Sequence, residues 1–407
     1  MKPRANLLNF EDARQTLLAG ATPLTATESL PLLAALGRTL AHAIMSPLNV
    51  PGFDNSAMDG YAINVQDIQA LPALFPVTQR IAAGQTGTPL APDTAARIFT
   101  GAPVPEGANV VVPQEHTQDS DGAIALTQSI EAMQHIRRKG EDIAAGGLVL
   151  AAGQRLGAPQ LAMLASIGIA TVTVFQPLKV GIFFTGDELT EPGQALVPGA
   201  IYNSNRYAIN ALLSQLGCTV NDYGIVRDSA EATREALRKA ACENDVIITC
   251  GGVSVGEEDH VKAAVMALGS LNLWQISMKP GKPLAYGRVD QTDFIGLPGN
   301  PVSAFVTFLL MARPFLLKRM GAAHTELKYL TAKADFDWPT PDRRREFLRV
   351  KITKDTSDAP VLTLWPNQGS GVMSSLAWAD GLVDLASDTK IAKGDVVRYL
   401  SLSDLLY

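Results

Sequence analysis

Carboxylates set among glycines, prolines and lysines give this sequence its chemical character. Glu188 stands in "TGDEL", Asp228 follows "YGIVR", and Asp259 closes "GGVSVGEED". Lys279 and Lys282 lie either side of a Pro-Gly pair in "KPGKP", and "GLPGNP" runs into an apolar helical pattern with Pro301 at its first position and Asn300 as cap. The N–H groups at a helix start form an anion site. The loop holding Gly251, Gly252 and Ser254 has the small residues that let backbone amides cradle a phosphate. Carboxylates beside a phosphate repel it unless a cation lies between, so Glu188, Asp228 and Asp259 point to Mg²⁺. The expected ligand is a phosphate or pyrophosphate compound bound with Mg²⁺. Plainer readings stand beside this one. Asp228 with Glu231 fits a helix-capping pair, Glu257 to Asp259 fit a favourable first turn, Gly251-Gly252 fits an ordinary turn, and Lys282 fits a surface charge.

A second stretch, "PGFDNSAMDGYAI" from Pro51 to Ile63, packs Asp54 and Asp59 among turn formers, with Phe53, Met58 and Tyr61 interleaved. Neither a solvated loop nor a core strand needs that mixture. Near the C-terminus, "RRREFLRV" read as a strand places Arg345, Phe347 and Arg349 on one face, which suits an anion site or a solvated edge. His116, His135, His260 and His324 show no metal-ligand spacing and read as structural.

The elements that must position these residues follow from composition and rhythm. The chain of 407 residues suggests roughly two to four domains. With 47% hydrophobic and 18% charged residues it is globular, and a net charge of −6 argues against nucleic acid or an anionic membrane as partner. Three scattered cysteines, Cys218, Cys242 and Cys250, make no disulfide framework and fit reduced thiols in the cytoplasm. No apolar signal segment opens the chain, and "VSAFVTFLLMA" is too short to span a bilayer before Arg313 interrupts it, so it reads as a buried helix.

Helical spacing marks "FEDARQTLLAG", "SLPLLAALGRTLAHAI" and "PQLAMLASIGI". From Pro51 to about Ile143 short β-prone runs alternate with turns, including one at Asp121-Gly122. From Pro177 to about Gly321 strands such as "VGIFF" and "VIIT" alternate with helices, one ending at Gly217 and one at Gly269, which argues a doubly wound, mostly parallel sheet. Its polar motifs sit where the strands end, the usual ligand edge of such a sheet. "REFLRVKIT", "PVLTLWP" and "GDVVRYLSL" then make a small C-terminal β domain.

Ten motifs carry a resemblance: "PGFDNSAMDGYA", "TGAPVPEGANVVVPQE", "RRKGEDI", "TGDEL", "NSNRYAI", "GGVSVGEEDHVK", "MKPGKPLAYG", "GLPGNPVSAFVTF", "RREFLRV" and "GSGVMSS". In this order, over nearly the whole chain, they resemble the molybdopterin molybdenumtransferase (MoeA) family. The resemblance implies a molybdopterin-binding α/β domain over 1–26 and 177–326, a linker domain over 27–45 and 147–176, a β-rich domain over 46–146 and a C-terminal β barrel over 327–407. It implies insertion of molybdate into adenylylated molybdopterin with Mg²⁺-dependent release of AMP. It also implies a cytoplasmic homodimer with shared active sites and transient contact with other cofactor-biosynthesis proteins.

Carried over by motif, Asp59, Thr100, Asp142, Glu188, Asp228 and Asp259 become the polar set for metal, substrate and water. Ser254, Gly252, Pro298 and Pro301 shape the nucleotide and pterin pocket, and Lys279, Arg349 and Ser370 hold anions. The loop at Asp59 becomes the wall of a cleft shared with the partner. One position departs from the family: Gln275 stands where a lysine is usual, four residues before Lys279, so a neighbouring arginine compensates or the chain is a less active paralogue. The other readings are molybdopterin adenylyltransferase, a Mg²⁺-dependent nucleotide pyrophosphatase, and a scaffold without catalysis.

Overall fold

A computed structural model describes residues 7–68, 70–126, 128–252 and 260–406. At its centre is a six-stranded sheet in the order Thr219–Val226, Lys179–Thr185, Val246–Cys250, Thr292–Leu297, Pro283–Val289, Gly269–Gln275. The first four strands run parallel, with Val180 opposite Val246 and Ile182 opposite Ile248, and the last two pair antiparallel.

Period-two alternation along Lys179–Thr185 explains the layering. Val180, Ile182 and Phe184 pack on one face with the helices Phe10–Gly20, Ser204–Leu216 and the long segment Pro301–Arg319. Phe183 and Ile247 pack on the other with Ala230–Glu243 and His260–Leu268. Helices therefore cover both faces, as the continuous apolar strands require. The segment Pro301–Arg319 is long and apolar enough to cross a membrane, but 78% of it is buried inside the protein. It widens to a π turn over Phe308–Ala312.

Residues 60–126 form a second six-stranded sheet in which Ala73–Ile81 and Ala95–Ile98 are the parallel pair. Asp121 and Gly122 both take left-handed conformations in the turn between Thr117–Ser120 and Ala123–Leu126. The C-terminal strands close into a five-stranded barrel: Arg345–Lys354 pairs with Pro360–Leu364 on one side and with Gly381–Leu385 on the other. Between the large sheet and the β-rich region, Thr27–Pro31 pairs with Thr171–Phe175, and Ile44–Met45 with Leu148–Leu150. The helix Ala158–Ser166 completes that core around Leu40, Leu150, Leu164 and Val174.

One expectation is corrected. "SLPLLAALGRTLAHAI" is not a helix: Thr27–Pro31 is a strand, and one short 3₁₀ turn over Leu32–Ala34 follows. Its hydrophobic spacing serves an antiparallel ribbon whose partner lies over a hundred residues away, and Pro31 cannot donate inside a helix. The helix His260–Leu268 ends at Gly269 as expected, though Gly269 is not a left-handed cap and opens the strand Gly269–Gln275, with its Cα opposite Val289. Gly217 does take the left-handed cap, at φ 86°.

Candidate functional site

The carboxyl ends of three parallel strands meet at a cavity of about 620 Å³. Lys179–Thr185 leads to Glu188, Val246–Cys250 leads to Gly251 and Gly252, and Thr292–Leu297 leads to Pro298 and Pro301, all on its wall. Lys279, at the end of the short strand Met278–Lys279, and Lys282, in the loop before Pro283–Val289, also line it. The barrel closes it with Arg344, Gln368, Gly369 and Ser370. Thus seven residues singled out in the sequence, Glu188, Gly252, Lys279, Lys282, Pro298, Pro301 and Ser370, share one cavity.

Backbone conformation makes the floor. Gly251 and Gly252 have φ of 90° and 64°, where side chains are strained, and a Cβ on Gly252 would lie 2.5 Å from Val261 Cγ2. Gly251 N–H already donates to Leu297 O at 3.2 Å. Pro301 does occupy the first helical position, but the Asn300 side chain makes no capping bond. The amide of Val302 is also not open to an anion, because it donates to Ser370 O at 2.9 Å. Asn205 Nδ2 donates to Gly299 O at 2.7 Å and steadies the "PGN" turn.

Two of the cavity's cations are tethered. Lys279 Nζ lies 3.0 Å from Glu346 and 3.4 Å from Asp342. Arg344 grips Asp342 with two bonds, Nε to Oδ1 at 3.0 Å and Nη2 to Oδ2 at 2.9 Å. That grip holds the Asp342 carboxyl well below the usual carboxylate range, while Arg344 is raised above its ordinary value by the same contact. Glu346 is 1% exposed and also accepts from Trp338 Nε1 and from the Asp342 amide. Lys282 and Glu188 are exposed. Cys250 lines the wall, but burial pushes its thiol up, so it stays protonated.

Other singled-out residues lie elsewhere. Asp59 and Thr100 meet in the β-rich domain: the Thr100 amide and hydroxyl both donate to Asp59 Oδ1 at 2.8 Å. These bonds hold the exposed Asp59 carboxyl below its ordinary value, with Arg97 adding a smaller push. Three motifs are stitched together there. Gly101 N–H donates to Ser56 O, Ala57 N–H to His135 O, Lys139 N–H to Asp54 Oδ1, and Asp142 N–H to Val50 O. Asp142 is exposed on that surface.

Asp228 is exposed beyond the strand Thr219–Val226 and is not on the cavity wall. It is not the helix cap either; Ser229 caps, accepting from the Ala232 amide. Arg349 is 1% exposed and makes no part of the wall; its guanidinium is taken up by Ser375, Phe347 and Gly369. Gln275 is half-buried and also off the wall. Ser254 and Asp259 lie outside the described residues. Among those described, no three His, Cys, Asp or Glu side chains cluster to hold a metal.

Sequence reasoning missed Arg344, Asn205 and Gln368. No strand pattern marks Arg344, which stands just before the strand Arg345–Lys354. On that strand Phe347 packs into the core shared with the large sheet, and Arg345 is bound to Asp384 and Glu11 and stacked over Phe10. Even-numbered Leu348 and Val350 face the barrel's own core, so parity does not place Arg344 on the cavity.

Comparison with known proteins matches this arrangement along the chain. Residues 8–168 match the MoeA N-terminal region (domain I and II), 181–318 a probable molybdopterin binding domain, and 331–402 the MoeA C-terminal region (domain IV). A molybdopterin molybdenumtransferase from Haemophilus influenzae is 43% identical over 316 residues, 77% of this chain and 78% of that protein. The chain belongs to the molybdopterin molybdenumtransferase family. Molybdopterin molybdenumtransferase 2 of Mycobacterium tuberculosis is 36% identical over 92% of this chain and 95% of its own length. Among solved structures, the MoeA protein of Pyrococcus horikoshii superposes with a TM-score of 0.82 at 28% identity, covering 97% of this chain and all of that one. Another solved molybdopterin biosynthesis MoeA protein structure from that organism gives 0.76 at 30% identity. The chain is therefore a transferase acting in molybdenum cofactor biosynthesis, and the family's multi-domain fold is the one described above.

Proposed function

We propose that this transferase inserts molybdenum from molybdate into adenylylated molybdopterin and releases AMP in a Mg²⁺-dependent step. One observation carries the reading: a single cavity combines a carboxylate, Glu188, with three cations, Lys279, Lys282 and Arg344, and a glycine floor at the ligand edge of the sheet. A pyrophosphate-linked substrate and an oxyanion both ask for fixed positive charge and backbone donors.

The described residues fit Mg²⁺ through one carboxylate. Magnesium is commonly held by one or two carboxylates together with phosphate oxygens of the substrate, and Glu188 is the carboxylate on the described wall. When bound, the ion would neutralise the pyrophosphate and polarise its bridging bond. The chain's own residues do the rest. Lys282 and Arg344 counter the anionic charge, Lys279 is aimed by Glu346, Ser370 offers a hydroxyl donor, and Pro298 and Pro301 give apolar edges to a pterin or base. The dithiolene sulfurs belong to the substrate, so the protonated Cys250 thiol has no part in the reaction.

Asp59, Thr100 and Asp142 sit on the β-rich domain, off this wall, which supports a homodimer in which each chain's β-rich loops complete the partner's cavity. Three unpaired cysteines support a reducing, cytoplasmic setting.

The test is incubation of the protein with adenylylated molybdopterin, Mg²⁺ and molybdate, following AMP. Release that needs all three components supports the reading. AMP released equally without molybdate would make it a pyrophosphatase, and adenylylation of molybdopterin by ATP would make it the sister adenylyltransferase.

A further inference from the structure

We infer that Arg349 is a positioning residue: it fixes the barrel loop Gln368–Ser370 and, through it, the start of the helix that edges the cavity. The proposal deepens the reading above and rests on it only for the activity arm of its test.

The guanidinium is buried, and each of its nitrogens has a partner on the protein. Nε donates to Ser375 Oγ at 3.1 Å, Nη1 to Phe347 O at 3.3 Å and Nη2 to Gly369 O at 3.1 Å. Burial without a carboxylate partner lowers its pKa to about 10, still high enough to keep the charge at neutral pH. The backbone of the same residue holds the loop a second way. Its amide donates to Gln368 Oε1 at 2.8 Å and its carbonyl accepts from Gln368 Nε2 at 3.0 Å, while that amide group also donates to Trp365 O at 2.8 Å. Side chain and backbone thus grip adjacent residues, Gly369 and Gln368, both on the cavity wall.

The next link leaves the barrel. Ser370 O accepts from the Val302 amide at 2.9 Å, in the first turn of the segment that begins at Pro301. That turn carries Pro301 and follows Pro298, both on the wall. A chain of bonds therefore runs from Arg349 through Gly369 and Ser370 to Val302. It joins the wall supplied by the barrel to the wall supplied by the large sheet.

The chemistry separates this role from direct anion binding. An anion holder works through charge, which lysine keeps. A splint works through three directed donors set by a planar fork, which lysine lacks. Arg344, Lys279 and Lys282 already bring charge to the wall.

The first experiment needs no substrate. Hydrogen exchange on the intact chain reads the Val302 amide in wild type and in Arg349→Lys. Exchange at Val302 at least about tenfold faster, with the amides of Val246–Cys250 unchanged, is the expected result, since opening this link is local and not global. If Arg349→Lys does not fold, Ser375→Ala removes one anchor of the guanidinium, and an acceleration of about threefold is expected. Unchanged exchange in the folded variant overturns the proposal, whatever the protein's activity.

The second experiment is a double-mutant cycle in the AMP-release assay. Arg349→Lys should lower kcat/KM about tenfold, and Ser370→Ala should cost at least about threefold less in that background than in wild type, because the loop that presents the Ser370 hydroxyl is already loosened. Losses that multiply as independent factors overturn it. A wild-type protein that releases no AMP sinks the proposed function, and the exchange result then decides the role of Arg349 alone.

Discussion

Beside the large sheet, cations are held by carboxylates; in the β-rich domain, a carboxylate is held by neutral donors. Lys279 and Arg344 share Asp342, and Lys279 reaches the buried Glu346 as well. Asp59 instead takes two bonds from one threonine and remains on the surface. The difference teaches where each site's charge is spent. The cavity keeps Lys279 and Arg344 oriented but tempered, and an anion entering beside them competes with groups already present. The Asp59 loop keeps an ionised, outward-facing acid whose shape comes from Asn55–Ser56, Thr100 and His135 within one domain. One region is assembled across domains and the other within one.

The largest effect that would sharpen this contrast is loss of the cavity's exposed acid. Glu188→Gln should lower kcat/KM for AMP release by at least about 100-fold if the carboxylate serves the metal-assisted step. Because Glu188 is exposed, stability measured by denaturant midpoint should change by less than about 0.5 kcal/mol. Retained turnover would remove the carboxylate from the chemistry.

Next is the claim that the two regions meet only between chains. Asp59→Asn and Glu188→Gln proteins, each inactive alone, should recover activity when mixed and allowed to exchange subunits. Random pairing makes half the dimers mixed, each with one intact site in two, so about a quarter of wild-type activity is expected. Absence of recovery in verified heterodimers breaks the comparison at its base.

A smaller effect reads the β-rich loop directly. Thr100→Val removes the hydroxyl and leaves the amide, so the depressed pKa of Asp59 should rise part of the way to its ordinary value. Depression comes first from the Thr100 amide, then from its hydroxyl. Below that pKa the carboxylate protonates and the two bonds lose their charged acceptor, so the loop's ordering is complete above the ordinary carboxylate range and fades as pH falls. Carboxyl-carbon NMR titration checks the shift, and an unmoved titration would mean the hydroxyl bond contributes nothing.

The smallest effect belongs to Gln275→Lys. The residue lies off the cavity wall, and a charge added there is screened by solvent, so the molybdate concentration for half-maximal AMP release should fall by no more than about threefold. A tenfold drop would mean that a lysine at this position reaches the bound oxyanion.

The fold was legible where local rhythm and long-range packing agree. "VGIFF" and "VIITC" are strands because both faces are covered, and Gly217 ends its helix because the left-handed position favours glycine. It was illegible where pairing overrides local pattern. Leu30 and Leu33 keep helical spacing, yet Leu30 faces Val172 in a ribbon and Leu33 is 99% exposed. Ligand-edge motifs in the large sheet were readable because strands ending in Gly, Pro and charge share one side of it. Arg344 was not, because it stands just before the strand Arg345–Lys354 and no strand pattern marks it. Nor could spacing show that Arg349 is bound to its own domain, since a buried arginine and a ligand-holding arginine look alike in a strand pattern.

The helix Phe10–Gly20 has one further consequence. Phe10 stacks against Phe347 of the barrel at 5.3 Å, and Glu11 bonds Arg345 at 2.7 Å across a separation of 334 residues. During synthesis this first helix emerges long before its last partner. At roughly 5–20 residues per second the wait is about 15–70 s. Through that interval the nascent chain presents an aromatic, half-apolar helix without its full cover, at the stage when ribosome-associated chaperones compete with misassembly. Truncation of the barrel would make that exposure permanent.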